Sequence, residues 1–290
     1  MTKVYGDFDQ ETLDNEYLIS RTVPSIEPFL ADYARLSAVA RDMPGCREDV
    51  AYGDHPDEVV DIFPATGRDG EKAPVFVFIH GGYWRMLSQK ESSFMAPAMA
   101  ENGVAVVSVN YSLAPDASID TIVRQCRDAI AWTWREAASF GGDPDRIFVC
   151  GSSAGGHLTG MMVAGGWHDD HGVPSDVIKG AVPLSGIHDL EPLRLSCINE
   201  WAHLDADSAR RNSPVHHLPE KCCPLILSYG GSETAEFKRQ SVLLAEAWRA
   251  QGGATDLFEH PARNHFDIVF DLCDPDSLLG RKVFDMIAGA

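Results

Sequence analysis

Along the chain, short apolar runs alternate with segments whose apolar residues recur every three or four positions. Val59-Val60-Asp61-Ile62-Phe63 reads as a short strand ended by Pro64. Pro74–Ile79 is a near-continuous apolar run, and Val104–Val109, Arg146–Cys150, Ile178–Leu184 and Leu225–Tyr229 are similar. Runs without a polar face predict strands covered on both sides. Thr255–Glu259 alternates more. Helical spacing begins with Ile26, Phe29, Leu30, Tyr33, Leu36, Val39 and Ala40, and Met43-Pro44-Gly45 stops it. Further helical patterns lie at 118–139, 154–165, 234–251 and 275–288. Strand–helix alternation of this kind predicts an α/β fold, with a mainly parallel central sheet and helices on both faces.

One domain is expected over 1–290. Residues 1–45 form an N-terminal helical extension, and 26–40 reads as ordinary packing, with a cover over a site mouth or a subunit contact as alternatives. Residues 187–222 are longer than an ordinary connection and rich in Pro, His and Asp. They are expected to form a lid-like or cap-like insertion.

Composition narrows the function classes. With 24 Lys+Arg against 43 Asp+Glu in 290 residues, the net charge is −19. That argues against nucleic acid and against an anionic membrane surface, both of which need clustered cations. The plain consequence of the charge is solubility; repulsion of anionic substrates is the functional one. The N-terminal residues lack the basic and apolar regions of a signal peptide, and no stretch approaches a membrane span. The seven cysteines are odd in number and contain no C-x-x-C pair, so a disulfide framework is not expected. Together these predict a reducing, cytoplasmic setting, and a homo-oligomer is left open.

The chemistry centres on Gly151-Ser152-Ser153-Ala154-Gly155, a G-x-S-x-G pattern between a buried strand and a helical pattern. A strand-to-helix turn there lifts the Ser153 oxygen above the sheet, and the glycines leave room around it. A serine hydroxyl attacks only when a base takes its proton. An oxyanion loop upstream, an acid downstream and a histidine last should therefore follow in that order. His80-Gly81-Gly82-Tyr83-Trp84 follows the strand 74–79, and the N–H groups of Gly82, Tyr83 and Ala154 are the expected oxyanion donors. His80 is expected to orient that loop. His265, on the loop after the last strand, is the expected base; His260 is the rival, but lies within the strand before Pro261. Glu233 follows the strand 225–229 and is the expected acid, with Glu236 one helical turn later as the alternative. His168-Asp169-Asp170-His171 has metal-ligand residue types but reads as a solvated loop, and no metal is expected.

HGGYW at 80–84, GSSAGGHL at 151–158, LSGIHDLEPL at 184–193, NSP at 212–214, ETAEFKRQS at 233–241 and NHFDIV at 264–269 form a recognisable set. Over residues 14–272 the chain resembles the kynurenine formamidase (arylformamidase) group of α/β-hydrolases and its bacterial esterase relatives. The resemblance implies an α/β-hydrolase fold, a small-molecule ester or amide substrate, no cofactor, Ser153 as nucleophile, His265 as base, and Glu233 where the group often has Asp. It also implies that 184–193 and the segment after it line or roof the pocket, with His188 where relatives often have Tyr. Trp84, His188, Trp201 and Phe266 are the expected pocket residues. Small acyl groups are favoured if Tyr83 and Trp84 crowd the acyl side. Three readings stand: a small-ester carboxylesterase, a dedicated N-formylkynurenine formamidase, and a non-catalytic hydrolase-fold binder. Arg85, Arg194 and Arg263 are the cations that would let an acidic chain take an anionic substrate.

Overall fold

The computed structural model describes residues 2–67 and 70–290. Among them, eight strands form one sheet in the order β1-β2-β4-β3-β5-β6-β7-β8. The strands are β1 Arg47–Ala51, β2 Val59–Phe63, β3 Ala73–Ile79, β4 Ala105–Val109, β5 Gly142–Ser152, β6 Ile178–Leu184, β7 Leu225–Gly230 and β8 Thr255–His260. β1 and β2 pair antiparallel at one edge, and the pairs from β4 to β8 are parallel. This is the α/β-hydrolase architecture. Helices α1 (Gln10–Tyr17) and α2 (Glu27–Arg41) precede the sheet. α3 (Ala96–Glu101), α4 (Ile119–Glu136), α5 (Ala154–Val163) and α6 (His168–His171) lie between the strands β3 to β6. The insertion folds as the short helices α7 (Glu191–Arg194), α8 (Asn199–Ala202) and α9 (Ala206–Arg211). α10 (Ala235–Ala250) and α11 (Leu278–Ala288) complete the layers. None of these helices is long and apolar enough to cross a membrane.

The two faces of the sheet differ in chemistry. Val75, Val77 and Ile79 of β3 join a largely aliphatic core with residues of α4, α5 and α10. Phe76 and Phe78, pointing the other way, join an aromatic-rich core with α2, α3 and α11. Period-two alternation within an all-apolar strand serves both cores at once. Each large side chain so buried contributes about 2 kcal/mol. α4 starts at Ser118, whose side chain accepts from Thr121 N, and buries Ile119, Ile122, Val123, Cys126 and Ile130 along one face. α5 is buried on every side. A Cβ at Gly156 would stand 2.6 Å from Leu184 O, so only glycine lets this helix approach β6.

β1 and α1 were not expected. β1 reads REDVA and is largely exposed, so it shows no apolar run. α1 buries only Leu13 and Tyr17 of its eight residues. His168–His171, expected as a loop, is a helical turn in which His168 stacks on Trp167 at 4.2 Å.

Candidate active site

Ser153 sits between the end of β5 and the start of α5 with φ 60° and ψ −119°, a conformation costly for a side-chain-bearing residue. Its N–H donates to Leu184 O and its carbonyl accepts from His157 N, both at 2.9 Å, so the turn is held from two sides. A Cβ at Gly81 would lie 2.7 Å from Ser152 O, which is why the preceding loop needs glycine to pass so close.

That loop turns through three successive left-handed residues, Gly82, Tyr83 and Trp84, at φ 95°, 50° and 59°. Among the described residues, neither Gly82 nor Tyr83 N–H has a backbone acceptor. His80 braces the turn. Its Nδ1–H donates to Gly81 O at 2.9 Å, and its ring lies parallel to Tyr111 at 4.0 Å. Burial pushes the His80 pKa down to about 4, which keeps the ring neutral. Tyr83 OH donates to Tyr17 O, and Trp201 Nε1–H donates to Tyr83 O at 3.2 Å.

Glu233 and His265 meet from different strands. Glu233 Oε1 accepts from Ser185 Oγ at 2.5 Å and from Gly230 N at 2.7 Å. Its other oxygen, Oε2, is 3.3 Å from His265 Nδ1. The pair is loosely aligned, and neither atom has a hydrogen-bond partner elsewhere among the described residues. Such looseness is common before substrate binds. The His265 ring packs edge-on against Phe237 and Phe266, at 4.8 and 5.2 Å. The rivals are engaged elsewhere. Glu236 accepts from Tyr17 OH at 2.8 Å and pairs with Arg239, and His260 Nε2 lies 2.9 Å from Asp271. Ser185 was missed, although Leu184-Ser185-Gly186 stands at the carboxyl end of β6, where side chains reach the site.

Ser153, His265, Gly81, Gly82 and Tyr83 line one cavity of about 170 Å³. Trp201 and Phe266 line it too. Trp84 and His188 do not, which corrects both pocket assignments. Trp84 is fully buried, and its Nε1–H donates to His157 Nδ1 at 3.2 Å. His157 therefore carries its proton on Nε2 and donates to Asn212 O at 2.6 Å. His188 is also fully buried, against Gly160 and Gly186, where a Cβ would come within 3.1 and 2.6 Å of its ring. Its backbone N–H donates to Gln240 Oε1 at 2.8 Å, and burial lowers its pKa to about 3. The segment after 184–193 lines the cavity as the resemblance implied, whereas no residue of 184–193 does. The N-terminal extension supplies Leu18, Ile19, Ser20, Ile26, Leu30 and Tyr33 to the cavity wall, while the insertion supplies Ile198 and Trp201.

Of the three arginines, Arg85 alone lines the cavity, its guanidinium 3.8 Å from the centre of the Trp201 ring. Arg194 pairs with Glu191 at 2.6 Å and Arg263 with Asp271. Among the described residues, no three His, Cys, Asp or Glu side chains gather as a metal site. The seven cysteines are free thiols.

A profile of the BD-FAE family matches residues 60–248. The chain belongs to the BD-FAE family. The match takes in Ser153 and Glu233 and ends before His265. The chain is 29% identical to the kynurenine formamidase of Danio rerio over 98% of each chain. It is 32% identical to that of Salmo salar over 82% of this chain and 81% of the other. Among solved structures, a protein of Silicibacter sp. TM1040 provisionally assigned as a thioesterase superimposes with a TM-score of 0.80. It is 28% identical and covers 93% of this chain and 97% of its own. The formamidase-and-esterase resemblance read from HGGYW and ETAEFKRQS thus holds over nearly the whole chain, and this BD-FAE member is a hydrolase.

Proposed function

We propose that the chain cleaves small carboxylic esters or aryl formamides through Ser153, His265 and Glu233. The carrying observation is that a strained serine and a histidine share one cavity while a buried carboxylate lies 3.3 Å from that histidine. His265 takes the Ser153 proton as Oγ attacks the carbonyl carbon. The N–H groups of Gly82, Tyr83 and Ala154 stabilise the oxyanion. His265 then protonates the departing alcohol or amine, and water, deprotonated by His265, releases the acid and restores Ser153. Glu233 keeps the imidazole in the tautomer with its proton on Nδ1 and offsets the positive charge it gains. The cavity is near the size that holds one benzene ring, so one aryl group or short chain is buried. Trp84 gives no support to a crowded acyl side, because it is buried away from the cavity. We also read residues 1–290 as one domain, with 1–45 and 187–222 both shaping the pocket, working in the cytoplasm.

Ser153→Ala should lower kcat by roughly 10,000-fold or more. Undiminished hydrolysis by that variant would overturn the assignment, as the non-catalytic reading requires. A dedicated N-formylkynurenine formamidase is the second reading, and Arg85 favours it. Arg85 lines the cavity with its guanidinium stacked on Trp201 and no carboxylate partner among the described residues, so it suits the carboxylate of that substrate. Comparing kcat/KM for N-formylkynurenine with that for neutral aryl acetates separates the two. Arg85→Gln should cost about tenfold on the first substrate and little on the second. Equal losses on both would remove the second reading.

A further inference from the structure

The N-terminal extension crosses the carboxyl edge of the sheet between its two helices. α1 puts Leu13 and Tyr17 into the aliphatic core, while α2 puts Tyr33 and Ala40 into the aromatic core on the opposite face. Three loops of the site lie along that crossing, and each is bonded to it. On the oxyanion turn, Tyr83 OH donates to Tyr17 O. Beside His265, Tyr33 OH donates to Phe266 O, and the Phe29 ring stacks on Phe266 at 5.6 Å. After Glu233, Thr234 Oγ1–H donates to Glu16 O at 2.8 Å and Glu236 N–H donates to Glu16 Oε2 at 2.9 Å. Tyr17 OH donates to Glu236 Oε2 at 2.8 Å, which anchors α1 on α10. Burial raises the pKa of all three tyrosines, so each remains a donor.

We propose that the extension is a positioning strap, in which Tyr17, Tyr33 and Tyr83 hold the oxyanion turn and the His265 loop in register across Ser153. This rests on the serine-hydrolase reading above. The two loops are where outside support is needed. Tyr83 and Trp84 occupy left-handed conformations that persist only where neighbours over-determine them. Among the described residues, the bonds reaching Tyr83 from outside its loop are those to Tyr17 and Trp201. His265 has no close hydrogen bond on Nδ1, so its ring orientation depends on packing by Phe237 and Phe266. Phe266 in turn is held by Tyr33 and Phe29.

Tyr83→Phe and Tyr33→Phe each delete one oxygen and leave the cavity wall in place. Each should lower kcat about tenfold, since small misplacements of reacting groups are costly, with KM for aryl acetates within about twofold. The rate of Ser153 phosphonylation by a p-nitrophenyl phosphonate should fall in parallel. Tyr17→Phe releases the anchor on Glu236 and should lower kcat as well. The double variant Tyr17→Phe/Tyr83→Phe should be no slower than Tyr83→Phe, because both substitutions weaken one tie. Val283→Ala, on the buried face of α11, is the control for stability: it should lower the unfolding midpoint and leave kcat unchanged well below that midpoint. If the tyrosine variants behave like this control, the strap only stabilises the fold and the proposal fails. Full activity in Ser153→Ala would instead overturn the underlying reading, a separate outcome.

Discussion

The N-terminal extension and the 187–222 insertion share the cavity wall unequally: the extension supplies six residues to it and the insertion two. The insertion has the length and composition of a lid, yet its two ends are fastened to α10 and to each other, and Ile198 and Trp201 are what it gives the cavity. Gln240 Oε1 accepts from the amides of both His188 and Asp189, and Ser213 Oγ accepts from Leu190 N, each at 2.8 Å. The extension looked like packing, yet it walls the cavity. The difference lies in where each segment is anchored. The root of the insertion is bound to buried polar groups of α5 and α10. The extension is anchored in both cores and must span the strand ends between them, which is where the cavity lies.

Acid should produce the largest contrast. His80, His157 and His188 are held neutral by burial, with pKa values near 4, 4 and 3 against an ordinary 6.5. Between those limits the unfolded chain binds more protons than the folded one. Their contribution is therefore complete above pH 6.5 and is lost as pH falls toward 4, at roughly 3 kcal/mol for each. His188 belongs to the insertion and His157 holds its Asn212 carbonyl, whereas the extension contains no histidine. Hydrogen exchange at about pH 5 should show the amides of 186–217 opening before those of 10–41. The reverse order would break the comparison.

Filling the cavity comes next. Leu30→Trp on α2 should lower kcat/KM for aryl acetates about 100-fold. Steady-state kinetics showing no loss would mean that the extension is not a pocket wall. The smallest effect sharpens the other side. Gln240→Ala leaves the buried amide of His188 and the part-buried amide of Asp189 without an acceptor and should cost about 2 kcal/mol in urea unfolding, with KM unchanged. A raised KM would return the root of the insertion to the pocket.

Most of the sheet was legible because β3 to β7 are apolar on both faces, a pattern that survives any choice of neighbours. The exposed edge strand β1 carries no such pattern. Ser153, Glu233 and His265 were readable for a topological reason: each follows a strand whose carboxyl end faces the site. The direction of a side chain in a tight turn was not readable. Trp84 stands next to Tyr83, but φ 59° turns its indole into the core against His157. His188 follows the same site-facing strand as Ser185, and only the three-dimensional path separates the partner of Glu233 from a core residue. In ETAEFKRQS, Glu236 stood beside Glu233 as the alternative acid, and Gln240 carried no reading. Their work is to bind Tyr17 and the 188–189 turn, which required knowing what packs on α10.

The fully buried α5 has a consequence for the order of folding. Its segment AGGHLTGMMV carries three glycines, each worth about 1 kcal/mol against a helix, and it has no polar face that could hold it in water. It acquires its helical form only once β5, β6 and α4 are present to enclose it. The Ser153 turn is the first link of that helix, so hydrolytic competence is expected among the last properties to return on refolding, after the tryptophan signals of the surrounding core.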